Sequence, residues 1–155
     1  MHFESINDII DFAIQKEQEA VDFYLSASRE ESMSGSKEML IEFSEEEKKH
    51  RRMLEELKVK GYAEGVEDYQ FKWIKDIKRS DYMDDMIYKP GMGYRDILII
   101  AIKREENALK LYNKLLTEAK SENAKKIFKI LCQEEAKHKL GLETLYDDHM
   151  AEMGD

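Results

Sequence analysis

The sequence predicts an all-α fold, an antiparallel four-helix bundle with a long crossover between its second and third helices, on three observations. Apolar residues recur at alternating spacings of four and three through four long segments, the period of a helix with one buried face. Proline occurs once and glycine seven times in 155 residues, and the clearest breaks cluster at Gly35, Gly61, Gly65 and the Pro90-Gly91-Met92-Gly93 turn. The pattern of the first half returns 88 positions later in the second, as an internal duplication would leave it. A hydrophobic content of 42% is ample for one core, so residues 1–155 are read as a single domain. A charged fraction of 38% suits long helices with solvated outer faces.

The first helix is predicted over Ile6 to Arg29, with Ser5 as its N-cap and Asp8 completing a capping-box-like pair. Its buried stripe reads Ile6, Ile10, Ala13, Glu17, Ala20, Tyr24, Ala27. A second helix is predicted over Ser36 to Lys58, with the stripe Leu40, Phe43, Glu47, His50, Leu54, Leu57. Gly61 and Gly65 close it, and a crossover over about 59–93 follows, longer than a usual bundle loop. Such a crossover lets the third helix start at whichever end of the bundle the packing requires.

Inside the crossover, Tyr69, Phe71, Trp73, Ile74 and Ile77, then Tyr82, Met83, Met86 and Ile87, hold enough apolar surface for one or two short helices. These residues either pack across the outside of the bundle or form a subunit interface, which aromatic and methionine clusters suit. A homodimer is the expected assembly. The third helix is predicted over Tyr94 to Lys120, with the stripe Tyr94, Leu98, Ala101, Glu105, Ala108, Tyr112, Leu115. Ser121 caps the fourth, which runs through Leu145 and as far as His149, with Phe128, Leu131, Glu135, His138, Leu142 and Leu145 along one face.

Four glutamates therefore fall at core positions, and burying them unpaired would cost several kcal/mol each. No lysine or arginine lies on the stripes. Two divalent cations would balance the charges of Glu17, Glu47, Glu105 and Glu135, while His50 and His138 complete the coordination as neutral imidazoles. Glu-x-x-His suits this task because residues three apart lie on neighbouring turns of one helix face and reach the same ion. One such motif in a Glu-rich chain is commonly a solvated helix face. Two in register, each preceded by a core glutamate at the same interval of 30 residues, are the pattern of a dimetal bundle. Glu45, Glu46, Glu106 and Glu134 lie off the stripes and are read as surface groups or as neighbours of the ligands.

A formal charge of -9 and the lack of a basic stripe exclude nucleic acid and anionic membranes as expected partners. The segment Met1-His2-Phe3-Glu4 shows no basic region leading into an apolar run, so a cytoplasmic location is expected. Cys132 is the only cysteine, which rules out an internal disulfide and a four-cysteine metal site. It is read first as a small buried apolar residue and second as a redox group. His2 and His149 are read as terminal surface residues.

Over the whole bundle these residues resemble the rubrerythrin-like branch of the ferritin-like diiron-carboxylate family. The resemblance rests on Ala13-x-x-x-Glu17-x-x-Ala20-x-x-x-Tyr24, on its copy Ala101-x-x-x-Glu105-x-x-Ala108-x-x-x-Tyr112, and on Glu47-x-x-His50 and Glu135-x-x-His138. It implies a pair of irons with Glu17 and Glu105 as terminal ligands, Glu47 and Glu135 as bridges, and one imidazole per ion. Rubrerythrins proper add a rubredoxin-like iron site, for which this chain lacks the cysteines, so electrons must come from a separate donor such as a rubredoxin-like protein. They also usually add a glutamate three residues after the third-helix ligand, where this chain has Ala108. Tyr24 and Tyr112, two turns beyond Glu17 and Glu105, are candidates to hydrogen-bond the ligand carboxylates.

The resulting expectation is an oxidoreductase that reduces O2 or hydrogen peroxide at the dimetal site. Iron oxidation, storage or handling is the alternative. Zinc or manganese in place of iron stays open, because ligand type seldom fixes the metal.

Overall fold

The computed structural model describes residues 5–153. Four helices build the bundle: α1 (Ile6–Ser28), α2 (Lys37–Lys60), α3 (Tyr94–Glu118) and α4 (Glu122–Met153), with no strand among the described residues. α1 packs chiefly on α2 and α3 on α4, and lighter contacts of α1 with α3 and of α2 with α4 close the bundle. Lys58 meets Asp11 while Ser44 reaches Val21, so α1 and α2 run antiparallel.

Local chemistry sets the ends. Ser5 caps α1 by accepting a hydrogen bond from the backbone N–H of Asp8 at 3.2 Å. Between α1 and α2 the chain makes a 3-10 turn, Glu31–Ser36, that contains Gly35 and brings Met33 fully into the core. α2 runs two residues past its expected end and stops at Gly61, whose φ of 83° is a left-handed conformation that glycine adopts without strain. Ser121 accepts from the N–H of Ala124 at 3.0 Å at the start of α4. That helix continues beyond His149 to Met153. His149 is half-buried with its ring stacked on Tyr94 at 4.8 Å, so it is less exposed than a terminal residue was expected to be. His2 lies outside the described residues.

The crossover departs most from expectation. In place of one or two short helices it holds a single 3-10 turn, Arg79–Tyr82, and is otherwise irregular. Partners on α4 explain its path. The backbone N–H of Ser80 donates to the buried carboxylate of Glu143 at 3.2 Å, that of Lys72 to Gln133 at 2.7 Å, and the Tyr69 hydroxyl to Glu134 at 2.6 Å. Helix formation would remove these backbone donors from α4. Met83, Met86 and Tyr88 then pack on the bundle, whereas Phe71, Trp73, Tyr82 and Ile87 stay exposed.

The core divides into two apolar layers. One gathers Ile10, Ala13, Leu54, Leu57, Leu115, Phe128 and Leu131, and the other Phe23, Leu40, Phe43, Leu98, Ile102 and Leu142. In each helix one buried acid, Glu17, Glu47, Glu105 or Glu135, lies between residues of one layer and residues of the other. No helix among the described residues is long and apolar enough to cross a membrane.

Candidate metal centre

Each helix delivers its acid at a core position one turn after a buried apolar residue, and in α2 and α4 a buried histidine follows one turn later. The structure brings all six expected residues together. Glu17, Glu47, Glu105, Glu135, His50 and His138 are each at most 3% exposed. Ligand atoms of Glu17, Glu47, His50 and Glu135 lie within 4.8 Å of one another, as do those of Glu47, Glu105, Glu135 and His138. Glu47 and Glu135 belong to both sets, the arrangement that two bridging carboxylates between two ions require.

The imidazoles face the cluster through Nδ1. His50 Nδ1 lies 2.7 Å from Glu135 Oε1, and His138 Nδ1 lies 2.9 Å from Glu47 Oε1. Neither contact is directed as a hydrogen bond. All six residues keep one buried polar atom without a hydrogen-bond partner: Glu17 Oε2, Glu47 Oε1, Glu105 Oε2, Glu135 Oε1 and Nδ1 of both histidines. Orphaned atoms of this kind are rare and costly in a folded core. Six of them converging, all of metal-ligating type, fit a pair of divalent cations placed among them.

Neighbouring groups orient the six. The Tyr24 hydroxyl on α1 donates to Glu105 on α3, and the Tyr112 hydroxyl on α3 donates to Glu17 on α1. Each tyrosine thus supports the acid of the opposite half. Burial, then the adjacent carboxylate, raises both phenols well above their ordinary range, so they remain donors. Phe43 stacks on His138 with ring centroids 4.2 Å apart. On its far side, His138 Nε2 meets the Glu46 carboxylate. Glu134 occupies the equivalent place in the second half but is engaged by Tyr69 and Lys137 instead. Glu45 pairs with Lys48 at the surface, and Glu106 with Lys103 in a half-buried setting beside the ligand Glu105.

Without cations the cluster keeps protons. Burial holds the Glu17 carboxyl well above the usual carboxylate range, and the Glu47 charge pushes the same way. For Glu135 burial acts first and Glu105 and Glu47 add to it. Burial also acts to raise Glu47, but hydrogen bonding from Glu17 and the charge of His50 outweigh it and hold that carboxyl low. Burial opposes charge on the imidazoles, yet Glu47 and Glu135 around His50, and Glu105 and Glu46 around His138, keep both pKa values raised. Protons therefore stand where positive charge is needed.

Cys132 is half-buried, packed against one apolar layer, so it is less buried than its first reading expected. Burial pushes its thiol up to about 11, and the sulfur lies 3.6 Å from Asn113 Oδ1. Sequence reasoning missed the specific roles of Glu46 and Phe43, since their asymmetry depends on which helix faces which. It also missed the buried pair Lys139 and Glu143, 3.0 Å apart, whose only signal was an i,i+4 charge pair on α4.

A family model described as Rubrerythrin matches residues 8–146. Among solved structures, a hypothetical protein from Pyrococcus furiosus is similar at 25% identity and a TM-score of 0.69, over 93% of this chain and 89% of that one. No curated protein matches this chain. With a family match over nearly the whole bundle and a buried carboxylate–histidine cluster that fits a dimetal centre, this chain belongs to the rubrerythrin family.

Proposed function

We propose that the chain is a diiron oxidoreductase that reduces O2 or hydrogen peroxide, with electrons from a separate donor such as a rubredoxin-like protein. The observation that carries this reading is the convergence of six buried, unpartnered ligand atoms in two sets that share Glu47 and Glu135. Glu17 and Glu105 are the terminal ligands in this reading, Glu47 and Glu135 the bridges, and His50 and His138 each hold one ion. When bound there, an iron pair supplies electrons for cleavage of an O–O bond.

The protein's own groups prepare the site. Tyr24 and Tyr112 fix the orientation of Glu105 and Glu17 by donating their hydroxyl protons to those carboxylates. Apolar layers on both sides lower the local dielectric and strengthen the electrostatic contacts between them. A homodimer joined through the exposed crossover residues Phe71, Trp73 and Ile87 belongs to the same reading.

Metal content and the optical spectrum of protein purified without added metal test the proposal, followed by reduction and a peroxide pulse. Iron at about two per chain, with visible absorption that bleaches on reduction and returns on the pulse, is the expected result. Two zincs, or a bundle that stays metal-free with its fold intact after anaerobic ferrous addition, would overturn the redox reading. A shell-sized assembly in light scattering, with iron accumulating beyond the pair, would replace it by iron storage.

A further inference from the structure

A cavity of about 570 Å³ opens between α1 and α3 and reaches the carboxylate side of the cluster, touching Glu17, Glu47, Glu105 and Glu135 but neither histidine. Its walls are regular. α1 contributes Phe12, Lys16 and Ala20, and α3 contributes Ile100, Arg104 and Ala108, both at intervals of four residues. Ala20 and Ala108 are the duplicated copies of one another, and both leave the groove open where a longer side chain would close it.

This space is far larger than a diatomic oxidant or a peroxide needs, because one water takes up only about 30 Å³. It lies within the size range of pockets that hold small organic ligands, roughly 300 to 1,000 Å³. Its charge is the second clue. Beside the four cluster glutamates and Asp85, which lies 3.9 Å from Lys103, three cations line it: Lys16, Lys103 and Arg104. Lys16 is held by Glu19 at 3.0 Å and Lys103 by Glu106 at 3.2 Å.

Arg104 has no acidic partner among the described residues. Its Nε is buried without a hydrogen bond, and its guanidinium lies over the Phe23 ring at 4.7 Å. Stacking of that kind fixes the guanidinium plane and leaves its edge for a planar, bidentate acceptor, which a carboxylate provides.

We propose that this cavity binds an amphiphilic organic carboxylate of medium chain length, its carboxylate paired with Arg104 and its apolar chain running past Ala20 and Ala108 toward the Glu17 and Glu105 carboxylates. The arrangement places the charged end on the lining cation that has no acidic partner among the described residues, and the apolar end against the small residues. It goes beyond the redox reading, since it concerns which organic molecule lies beside the centre.

Calorimetric titration of the full-length protein as purified, with octanoate, 1-octanol and acetate, tests it. Octanoate binds, acetate does not, and Arg104→Met weakens octanoate by roughly tenfold or more while leaving octanol unchanged. Ala108→Leu, which fills the groove, abolishes octanoate binding, with circular dichroism confirming the helical fold. No octanoate binding, or binding indifferent to Arg104→Met, would overturn the proposal. Because no turnover is measured, that failure would leave the peroxide and O2 reading standing.

Discussion

The Tyr24 hydroxyl on α1 donates to the Glu105 carboxylate on α3, so a residue of the first half supports an acid of the second. Tyr112 returns the contact to Glu17. The two halves are therefore tied through the centre as well as through the apolar layers. Tyr24→Phe keeps the ring and removes only the donor. Outer contacts of this kind typically contribute ten- to a hundredfold in metal affinity, so a loss of about that size is expected in competition with a chromophoric chelator. An unchanged affinity would show that the hydroxyl serves packing alone.

Glu135 and Glu17 should behave differently on removal, although both are buried acids. Glu135 belongs to both ligand sets and Glu17 to one. Glu135→Ala should loosen both ions, whereas Glu17→Ala should leave one held. Metal analysis after dialysis against a weak chelator reads the difference. Two tightly held ions in Glu135→Ala would contradict the shared-carboxylate geometry.

The proton content of the cluster gives a pH dependence of defined sign. Glu17 and Glu135 have raised pKa values in the fold, so the native state binds more protons than the unfolded chain above the ordinary carboxylate range, about 4.3. His50 and His138 are also raised, and their stabilising contribution is full below about 6.5 and is lost as pH climbs through the folded values. Glu47 is depressed, and its contribution is lost only as pH falls below the carboxylate range. The metal-free protein should therefore melt at lower temperature as pH rises from about 5 to 8, and metal affinity should rise over the same window as protons leave. Melting curves of chelated protein, with and without a redox-silent divalent ion, check both directions.

The six acids and imidazoles were legible because helical period and the 88-residue offset are properties of the chain alone. What sequence could not show is what covers each half. Arg51 and Glu55 on α2 are the duplicated counterparts of Lys139 and Glu143 on α4, and both pairs are within salt-bridge distance. The first pair is solvated, while the second is buried because the crossover lies over it and Asp76 joins Lys139 at 2.7 Å. A solvated ion pair contributes little and its sealed copy must be fully partnered, yet the two read alike in one dimension. The cavity between α1 and α3 escaped for a related reason: Ala20 and Ala108 fit a core stripe as well as they fit a groove.

Asymmetry of the same origin should make the two ions of the proposed pair unequal. His138 has Glu46 behind its ring and Phe43 stacked on its face, whereas Glu134, the counterpart of Glu46, is engaged by Tyr69 and Lys137. A carboxylate behind an imidazole fixes its tautomer and strengthens it as a ligand. Glu46→Gln keeps the shape but removes the charge, and should weaken the ion on His138 by roughly tenfold or more while sparing the one on His50. Stepwise metal titration of the variant should then separate into two phases, with the weaker one assigned by its loss in His138→Ala. Equal weakening of both ions would show instead that Glu46 acts through the shared Glu47, its neighbour on α2.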